Sequence, residues 1–255
     1  MPARKGDRAT GGYHWYLSER RNPMITRYIL PVVHKLPALS AAALLFFVLL
    51  GFTVSCLFIL KPLYTIGFER HGVSEATGIL SGDLGEVADA FVGYFTSDEK
   101  YMAVVVDVYG KEKSLLSEKE TIHMRDVKDL VSNVRSLSTV SLMGIIGYVA
   151  VLSYRVRTKA ISVLAHRLRK SAFAVVVATI VFGLLVALAF PALFTLFHLI
   201  SFSNDYWLLD PRHDYLVMLF TPNFFLEATG LLIGLILLEC AVLIGISYAL
   251  GIKHG

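Results

Sequence analysis

Charged side chains are scarce in this chain of 255 residues. They make up 17% of the residues, against roughly 25% in a typical soluble protein. Hydrophobic residues account for 55% of the chain, and the mean hydropathy is +0.62. This composition excludes a disordered chain and argues against a soluble globular protein.

Cysteine is also scarce, because the chain has only Cys56 and Cys240. Both lie inside apolar stretches, so they form neither a disulfide framework nor a spaced metal-binding motif. Internal repeats and low-complexity tracts are absent from the sequence as well.

Four stretches are long and apolar enough to cross a bilayer, which takes roughly 20 apolar residues each. We therefore predict an all-α membrane protein with four transmembrane helices. We expect the first span to be retained, because its apolar run is longer than the 7–15 residues of a signal-peptide core. The predicted spans cover residues 36–60, 136–154, 171–191 and 225–250.

The basic side chains are concentrated in two segments. Residues 1–37 have seven basic and two acidic side chains, a net charge of +5, and residues 155–170 have six basic and no acidic ones. Residues 61–137 carry −4 and residues 201–223 carry −2. The positive-inside rule then places both termini in the cytoplasm. The positive total is thus an orientation signal, with attraction to anionic membrane phospholipid, rather than a sign of nucleic-acid binding.

These assignments divide the rest of the chain into cytoplasmic and outward-facing segments. The cytoplasmic segments are a basic tail at 1–35, a basic loop at 155–170 and a C-terminus at 251–255. The outward segments are an extracytoplasmic domain at 61–135 and an interfacial loop at 192–224.

The extracytoplasmic domain is predicted to be small and mainly helical. Apolar residues recur at helical spacing between Gly82 and Thr96, and the β-branched run Met102–Val108 indicates a short strand or a buried stretch. Ser117 and Glu120 form a capping box, which opens a helix that could continue into the second span. Since about seventy-five residues are few for an independent core, this domain should pack on the membrane helices.

Two histidines of the outward segments are candidates for chemistry. His123 precedes Asp126 by three residues on the predicted helix, so the carboxylate could orient the imidazole. An exposed polar helix face is the simpler interpretation of that spacing. His198 lies among apolar residues just beyond Pro191, which should interrupt the third span so that residues 192–202 lie along the interface or bend back. An ionisable residue in such surroundings is a functional candidate, although a structural histidine is an alternative.

The segment that follows His198 is dense in polar groups and interfacial aromatics. A site that binds a polar headgroup between apolar walls would need this mixture. Its candidate binding residues are Asn204, Asp205, Tyr206 and Arg212. In the spans, by contrast, glycines 144, 147, 230 and 234 indicate close helix packing, and Glu239 is expected to be a protonated or hydrogen-bonded group facing the bundle.

Two blocks of sequence resemble the bacterial lipoprotein intramolecular transacylase family. One is the run Glu118–Lys128, which contains His123, and the other runs from Phe197-His198 through Phe202–Arg212 to Phe224-Phe225. The four-span layout with an outward domain between the first two spans is similar too.

This resemblance implies transfer of the sn-2 acyl chain of a diacylglyceryl lipoprotein to the α-amine of its own N-terminal cysteine, which leaves a lyso-form lipoprotein. It implies His123 and His198 as the active-site histidines on the outer face, and neither a metal nor a cofactor. We expect His123, oriented by Asp126 or Glu120, to be the general base and His198 to donate to the oxyanion or leaving oxygen, although the roles could be exchanged.

Two other functions are open at this point. A metal-dependent membrane hydrolase could use His123, His198 and either Asp126 or Asp205 as ligands, but the chain has no H-E-x-x-H spacing. A sensor or partner-binding protein on a four-helix anchor would tolerate alanine at both histidines.

Overall fold

The computed structural model describes residues 38–156 and 160–254. The predicted N-terminal tail at 1–35 lies outside the described residues, as do residues 157–159 of the predicted basic loop and the last residue of the chain. Most of the described chain is helical. In chain order the elements are α1 (Ala38–Ile59), α2 (Lys61–Arg70), α3 (Val73–Thr77), α4 (Leu84–Thr96), β1 (Val105–Val108), β2 (Lys111–Ser114), α5 (Glu118–Val156), α6 (Ala160–Ser201), α7 (Tyr215–Leu219) and α8 (Pro222–His254).

Four helices of the described chain, α1, α5, α6 and α8, are long and apolar enough to cross a membrane. The four-span prediction is therefore confirmed. Two of these helices, α5 and α6, extend well beyond the predicted spans, because their polar or amphipathic ends continue the same helix past the apolar part. The 39-residue α5 begins next to the predicted capping box and runs without a break into the second span, as expected.

The third spanning helix, α6, is interrupted close to the predicted position. Ala189, two residues before Pro191, has non-helical backbone angles (φ −143°, ψ 32°), so α6 consists of two helical parts that meet at a kink, and the second part runs to Ser201. Proline removes one backbone hydrogen bond and its ring crowds the preceding turn, which bends a helix without forbidding its continuation. The segment 192–201 is thus helical, and it carries His198 on the same element as the third span.

The segment between α1 and α5 contains a short β-hairpin besides its helices. The strand β1 confirms the predicted strand in shortened form, and it pairs antiparallel with β2. Tyr109 and Gly110 connect them, both with positive φ, as a tight two-residue hairpin turn requires. The partner strand β2 reads Lys-Glu-Lys-Ser and is fully exposed, so no hydrophobic alternation indicates it in the sequence.

A hydrophobic core lies beneath the hairpin and the short helices. It joins aromatic side chains of α2 and α4 to residues that follow α6, since Tyr64, Phe68 and Phe91 contact the ring of Phe220. Leu216, Leu219 and Phe224 belong to the same cluster. The segment 61–135 therefore completes its core with chain from the α6–α8 connection.

The glycines of the predicted close-packing motif do not lie at close helix contacts within the described residues. There a Cβ placed at Gly230, Gly234 or Gly147 would meet nothing within 4 Å, and one at Gly144 would make only ordinary contact with a leucine of α1. The predicted role of these glycines in close helix packing is therefore wrong in this structure. A glycine pattern also arises where a helix simply faces lipid, so spacing alone does not identify the contact.

Two helices approach each other closely at Gly51 of α1. A Cβ at this position would lie 2.3 Å from the Cβ of Ser138 on α5, which leaves no room for any side chain. The Ser138 hydroxyl donates to the Val48 carbonyl oxygen at 3.3 Å across the same contact. This contact joins α1 and α5 directly.

Glu239 lies on α8 inside the bundle. Its Oε1 accepts a hydrogen bond of 3.0 Å from the hydroxyl of Thr53, which is almost completely buried on α1. This geometry confirms the expected hydrogen-bonded group facing the bundle.

We predict that Gly51→Ala lowers the free energy of unfolding by about 1–3 kcal/mol, because the new methyl group overlaps Ser138. Thermal unfolding of the purified protein in detergent measures this change. Gly234→Ala is the matched control, since a methyl group there meets open space. Equal unfolding temperatures for the two variants would contradict the close approach at Gly51.

Candidate active site

The first turn of α5 is fixed by the predicted capping box. The Ser117 N–H donates to Oε2 of Glu120 at 2.7 Å, and the Glu120 N–H donates to the Ser117 hydroxyl at 3.4 Å. The other oxygen of Glu120 accepts the N–H of Leu216 at 2.6 Å, so this buried carboxylate also ties α7 to α5. His123 lies one turn further along, buried against the chain that follows α6.

His198 lies one turn before the end of α6. Its Nδ1 is 2.7 Å from the carbonyl oxygen of Phe194, in the preceding turn. Because a carbonyl oxygen only accepts, Nδ1 carries the proton, and a neutral ring in this arrangement has its free lone pair on Nε2. The backbone therefore fixes both the orientation and the tautomer of His198.

The two histidines come together although 75 positions separate them. Their ring centroids are 6.1 Å apart and the ring planes differ by 31°. They share no direct hydrogen bond. General acid–base catalysis requires a ring nitrogen about 2.6–3.2 Å from its proton partner, or one water away, so one reacting group could contact both rings.

Aromatic rings surround the pair. Phe194 lies 4.4 Å and Trp207 lies 5.0 Å from the ring of His198, between centroids, and Phe202 lies 5.1 Å from the ring of His123. His123 and His198 are each only 7% exposed. The imidazoles therefore lie in a largely apolar setting that excludes most water.

Polar contacts hold together the two segments that carry His123 and His198. The side-chain amide of Asn204 donates to Oδ2 of Asp126 at 2.8 Å, which joins the chain after α6 to α5. Oδ1 of Asp126 accepts from Arg125 at 2.7 Å. The ammonium of Lys119 donates to the Leu208 carbonyl oxygen, which adds a second tie between the same segments.

The predicted hydrogen bond from His123 to the carboxylate of Asp126 or Glu120 is not formed. Asp126 is engaged by Arg125 and Asn204, and both oxygens of Glu120 accept backbone N–H groups. Within the described residues, Nδ1 of His123 is buried with no hydrogen-bond partner. Helical spacing brings His123 and Asp126 to neighbouring positions, but stronger donors occupy the carboxylate.

The remaining predicted site residues lie at the rim. Asp205 and Tyr206 are exposed, and the Tyr206 N–H donates to the Asn204 side-chain oxygen at 3.1 Å. The exposed Arg212 pairs with Asp210, and the hydrogen bonds from its guanidinium hold the pKa of that carboxyl well below its usual range. Within the described chain, none of these three predicted residues bonds to either imidazole.

The closest partners of His198 were not among the predicted site residues. The ring centroid of Trp207 lies 5.0 Å from that of the imidazole, although the sequence places this residue only among the interfacial aromatics that follow His198. Residues 194, 198 and 202 recur every four positions, which indicates one face of a helix.

The alternative metal-ligand set is not assembled. Among residues 38–156 and 160–254, no group of three histidine, cysteine, aspartate or glutamate side chains is arranged to hold a metal ion. The carboxylate of Asp126 is engaged by Arg125 and Asn204 instead.

Comparison with known proteins matches this chain to one family model. The model of lipoprotein intramolecular transacylase Lit matches residues 39–225, which include both histidines. A search of curated proteins finds no match.

Solved structures with a similar fold come from Bacillus cereus. The in meso structure of its membrane integral lipoprotein intramolecular transacylase Lit has 19% sequence identity and a TM-score of 0.68, over 85% of this chain and 94% of that one. A variant of that protein with a histidine replaced by alanine has 18% identity and a TM-score of 0.67, over 91% and 98% of the two chains.

The family match covers well over half of the chain, and the four apolar helices agree with an integral membrane fold. The chain therefore belongs to the lipoprotein intramolecular transacylase Lit family, and it is a multi-pass membrane acyltransferase.

Proposed function

We propose that this protein moves the sn-2 acyl chain of a diacylglyceryl lipoprotein to the α-amine of the same lipoprotein's N-terminal cysteine. The product is a lyso-form lipoprotein. The observation that carries this proposal is the pairing of His123 and His198, whose rings lie 6.1 Å apart inside an aromatic pocket. Family membership supports the lipoprotein substrate.

In this proposal His198 is the general base. An N-terminal amine has a pKa of about 7.7–8.0, and an ordinary imidazole near 6.5 is largely neutral where such an amine is reactive. The hydrogen bond from Nδ1 to the Phe194 carbonyl oxygen leaves the Nε2 lone pair of His198 available for the amine proton. This assignment exchanges the roles first expected from the sequence, in which His123 was the base.

His123 supplies the hydrogen bond to the developing oxyanion. In the part of the chain that the structure describes, its buried Nδ1 has no hydrogen-bond partner. A buried donor or acceptor without a partner costs about 1–3 kcal/mol. A substrate ester oxygen that accepts from this atom would remove that cost, and it would do so most strongly as negative charge develops.

The reaction then balances without any further reactant. The amine nitrogen bonds to the ester carbonyl carbon, and His198 takes the amine proton. The bond between that carbon and the sn-2 oxygen breaks, and His198 returns the proton to this oxygen. Since nucleophile and ester belong to one molecule, the protein mainly has to hold them in a reactive geometry.

The polar residues around the pair have separate roles in this proposal. Asn204 acts through Asp126, by holding the chain after α6 against α5. Asp205, Tyr206 and Arg212 are exposed at the rim, where they would contact the peptide and glyceryl part of the substrate. Neither a metal ion nor a cofactor takes part.

The charge pattern supports an outward-facing site. The segment 155–170 has six basic and no acidic side chains, whereas 61–137 and 201–223 are both net acidic. By the positive-inside rule the histidine pair faces the extracytoplasmic side of a bacterial cell membrane, and both termini are cytoplasmic. Diacylglyceryl lipoproteins would reach the pair there from the outer leaflet.

Replacement of either histidine is expected to abolish conversion. General acid–base groups contribute about 10²–10⁴-fold to rate, so His123→Ala and His198→Ala should each lower the rate by at least about 100-fold. Mass spectrometry of lipoprotein N-termini from a host expressing each variant measures conversion to the N-acyl lyso form. His213→Ala is the control, because His213 lies in the connection between α6 and α8 but has an exposed side chain.

A variant that still converts would remove that histidine from the mechanism. Normal conversion by both variants would instead favour the alternative of a membrane sensor or partner-binding protein.

Asn204→Ala is expected to slow conversion several-fold. The variant loses a hydrogen bond to a charged carboxylate, a loss of about 1.5–3 kcal/mol, and frees the Trp207 segment to move away from α5. The initial rate of lyso-form production by purified protein measures this effect, with the unfolding temperature recorded in parallel. Asn133→Ala, at an exposed position of α5, should keep the rate. An unchanged rate for Asn204→Ala would show that the link does not position the histidines.

Chelators are expected to leave conversion unchanged, because no metal takes part in the proposed chemistry. The measurement pairs elemental analysis of the purified protein with the rate before and after treatment with 1,10-phenanthroline. A stoichiometric transition metal whose removal stops conversion, and whose return restores it, would overturn the cofactor-free mechanism.

A further inference from the structure

A basic groove lies at the end of the bundle opposite the histidine pair. It has a volume of about 640 Å³ and is formed by the first turns of α6 and the last turns of α8. Binding sites for small ligands commonly have volumes of about 300–1,000 Å³, so this groove is large enough for one. Arg169 and His198 are 29 residues apart on α6, or about 43 Å along a helix, so the two sites are separate.

The arginines of the groove differ from those near the histidines. At the histidine end Arg70, Arg125 and Arg212 each pair with a carboxylate. Within the described chain, Arg167 and Arg169 form no ion pair with a carboxylate.

Aromatic rings hold these two guanidinium groups in place. Arg169 lies over the ring of Tyr248 at 4.5 Å, and Arg167 lies over the ring of Tyr148 at 5.6 Å. Nη2 of Arg169 is also 3.4 Å from Nδ1 of His166. Stacking of this kind orients a guanidinium and leaves its N–H donors at the edge free to bind an anion.

The fitting anion is a phosphate attached to a lipid. The planar guanidinium fork matches a phosphate group, and basic pockets between spanning helices on the cytoplasmic side suit anionic headgroups. Large apolar side chains are exposed on both helices next to the groove, among them Ile161, Phe173, Ile246 and Leu250. Acyl chains could cover these side chains, whereas free phosphate could not.

We propose that this groove is a binding site for the phosphate headgroup of an anionic phospholipid, held by Arg167 and Arg169. The site goes beyond the transacylase reaction, because none of its residues contacts the histidine pair. Its ligand is a resident membrane lipid rather than the lipoprotein substrate.

Native mass spectrometry of the full-length protein in detergent tests this proposal. Phosphatidylglycerol should remain bound to the wild type, and phosphatidylcholine, which has no net charge, should not. Arg169→Gln should lower phosphatidylglycerol affinity by about ten-fold, as expected for the loss of charge-assisted hydrogen bonds. Lys170→Gln removes the same charge one position away but does not line the groove, so it should retain the lipid.

Further variants and a competition with inorganic phosphate distinguish a lipid headgroup from free phosphate as the ligand. Two more variants should weaken phosphatidylglycerol binding: Arg167→Gln, and Arg169→Lys, which keeps the charge but loses the planar guanidinium. These two variants provide the test if Arg169→Gln does not fold. Excess inorganic phosphate should leave the bound lipid in place. Displacement of the lipid by phosphate, or equal retention by Arg169→Gln and Lys170→Gln, would overturn the proposal.

Discussion

The geometry of the candidate site depends on two carboxylates that join α5 to the chain after α6. Glu120 accepts the backbone N–H of Leu216, and Asp126 accepts the side-chain amide of Asn204. A carboxylate in an apolar region is costly unless hydrogen bonds satisfy it, and each of these also accepts a local donor, from Ser117 just before α5 or from Arg125 on it. The connection between α6 and α8 is thereby fixed along about one and a half turns of α5. His123 lies between the two carboxylates, so the same contacts hold it against His198.

Their use as structural ties explains why neither carboxylate orients His123. A carboxylate that already accepts from a guanidinium and an amide, or from two backbone N–H groups, gains little from a neutral imidazole. The orientation of His198 comes instead from the backbone of its own helix, through Phe194. The supporting groups of the site therefore belong to the fold. In the proposed mechanism this leaves Nδ1 of His123 and Nε2 of His198 to contact the substrate.

The sequence predicts a large part of this fold and site, for identifiable reasons. The four spans follow from composition, since a bilayer requires long apolar helices. The capping box follows from local chemistry at Ser117 and Glu120. The contacts that depend on packing between distant segments are not visible in this way. Gly51 meets Ser138 and Asn204 meets Asp126 only because the tertiary structure brings them together.

The kink at Ala189 lies where Pro191 predicts an interruption of the third span. The chain beyond the kink is again helical, for about three turns, as far as Ser201. At 42 residues, or about 63 Å, α6 is twice as long as a hydrocarbon core of about 30 Å is thick. It reaches past the apolar region at both ends, with Arg169 in the basic groove at one end and His198 in the aromatic pocket at the other. Pro191 has no backbone N–H, so it leaves no donor without a partner at the bend. Only the carbonyl oxygen that would have accepted from an N–H at this position needs another donor. The helical part after the kink places Phe194 one turn before His198, and this is what allows the Phe194 carbonyl oxygen to accept from the imidazole.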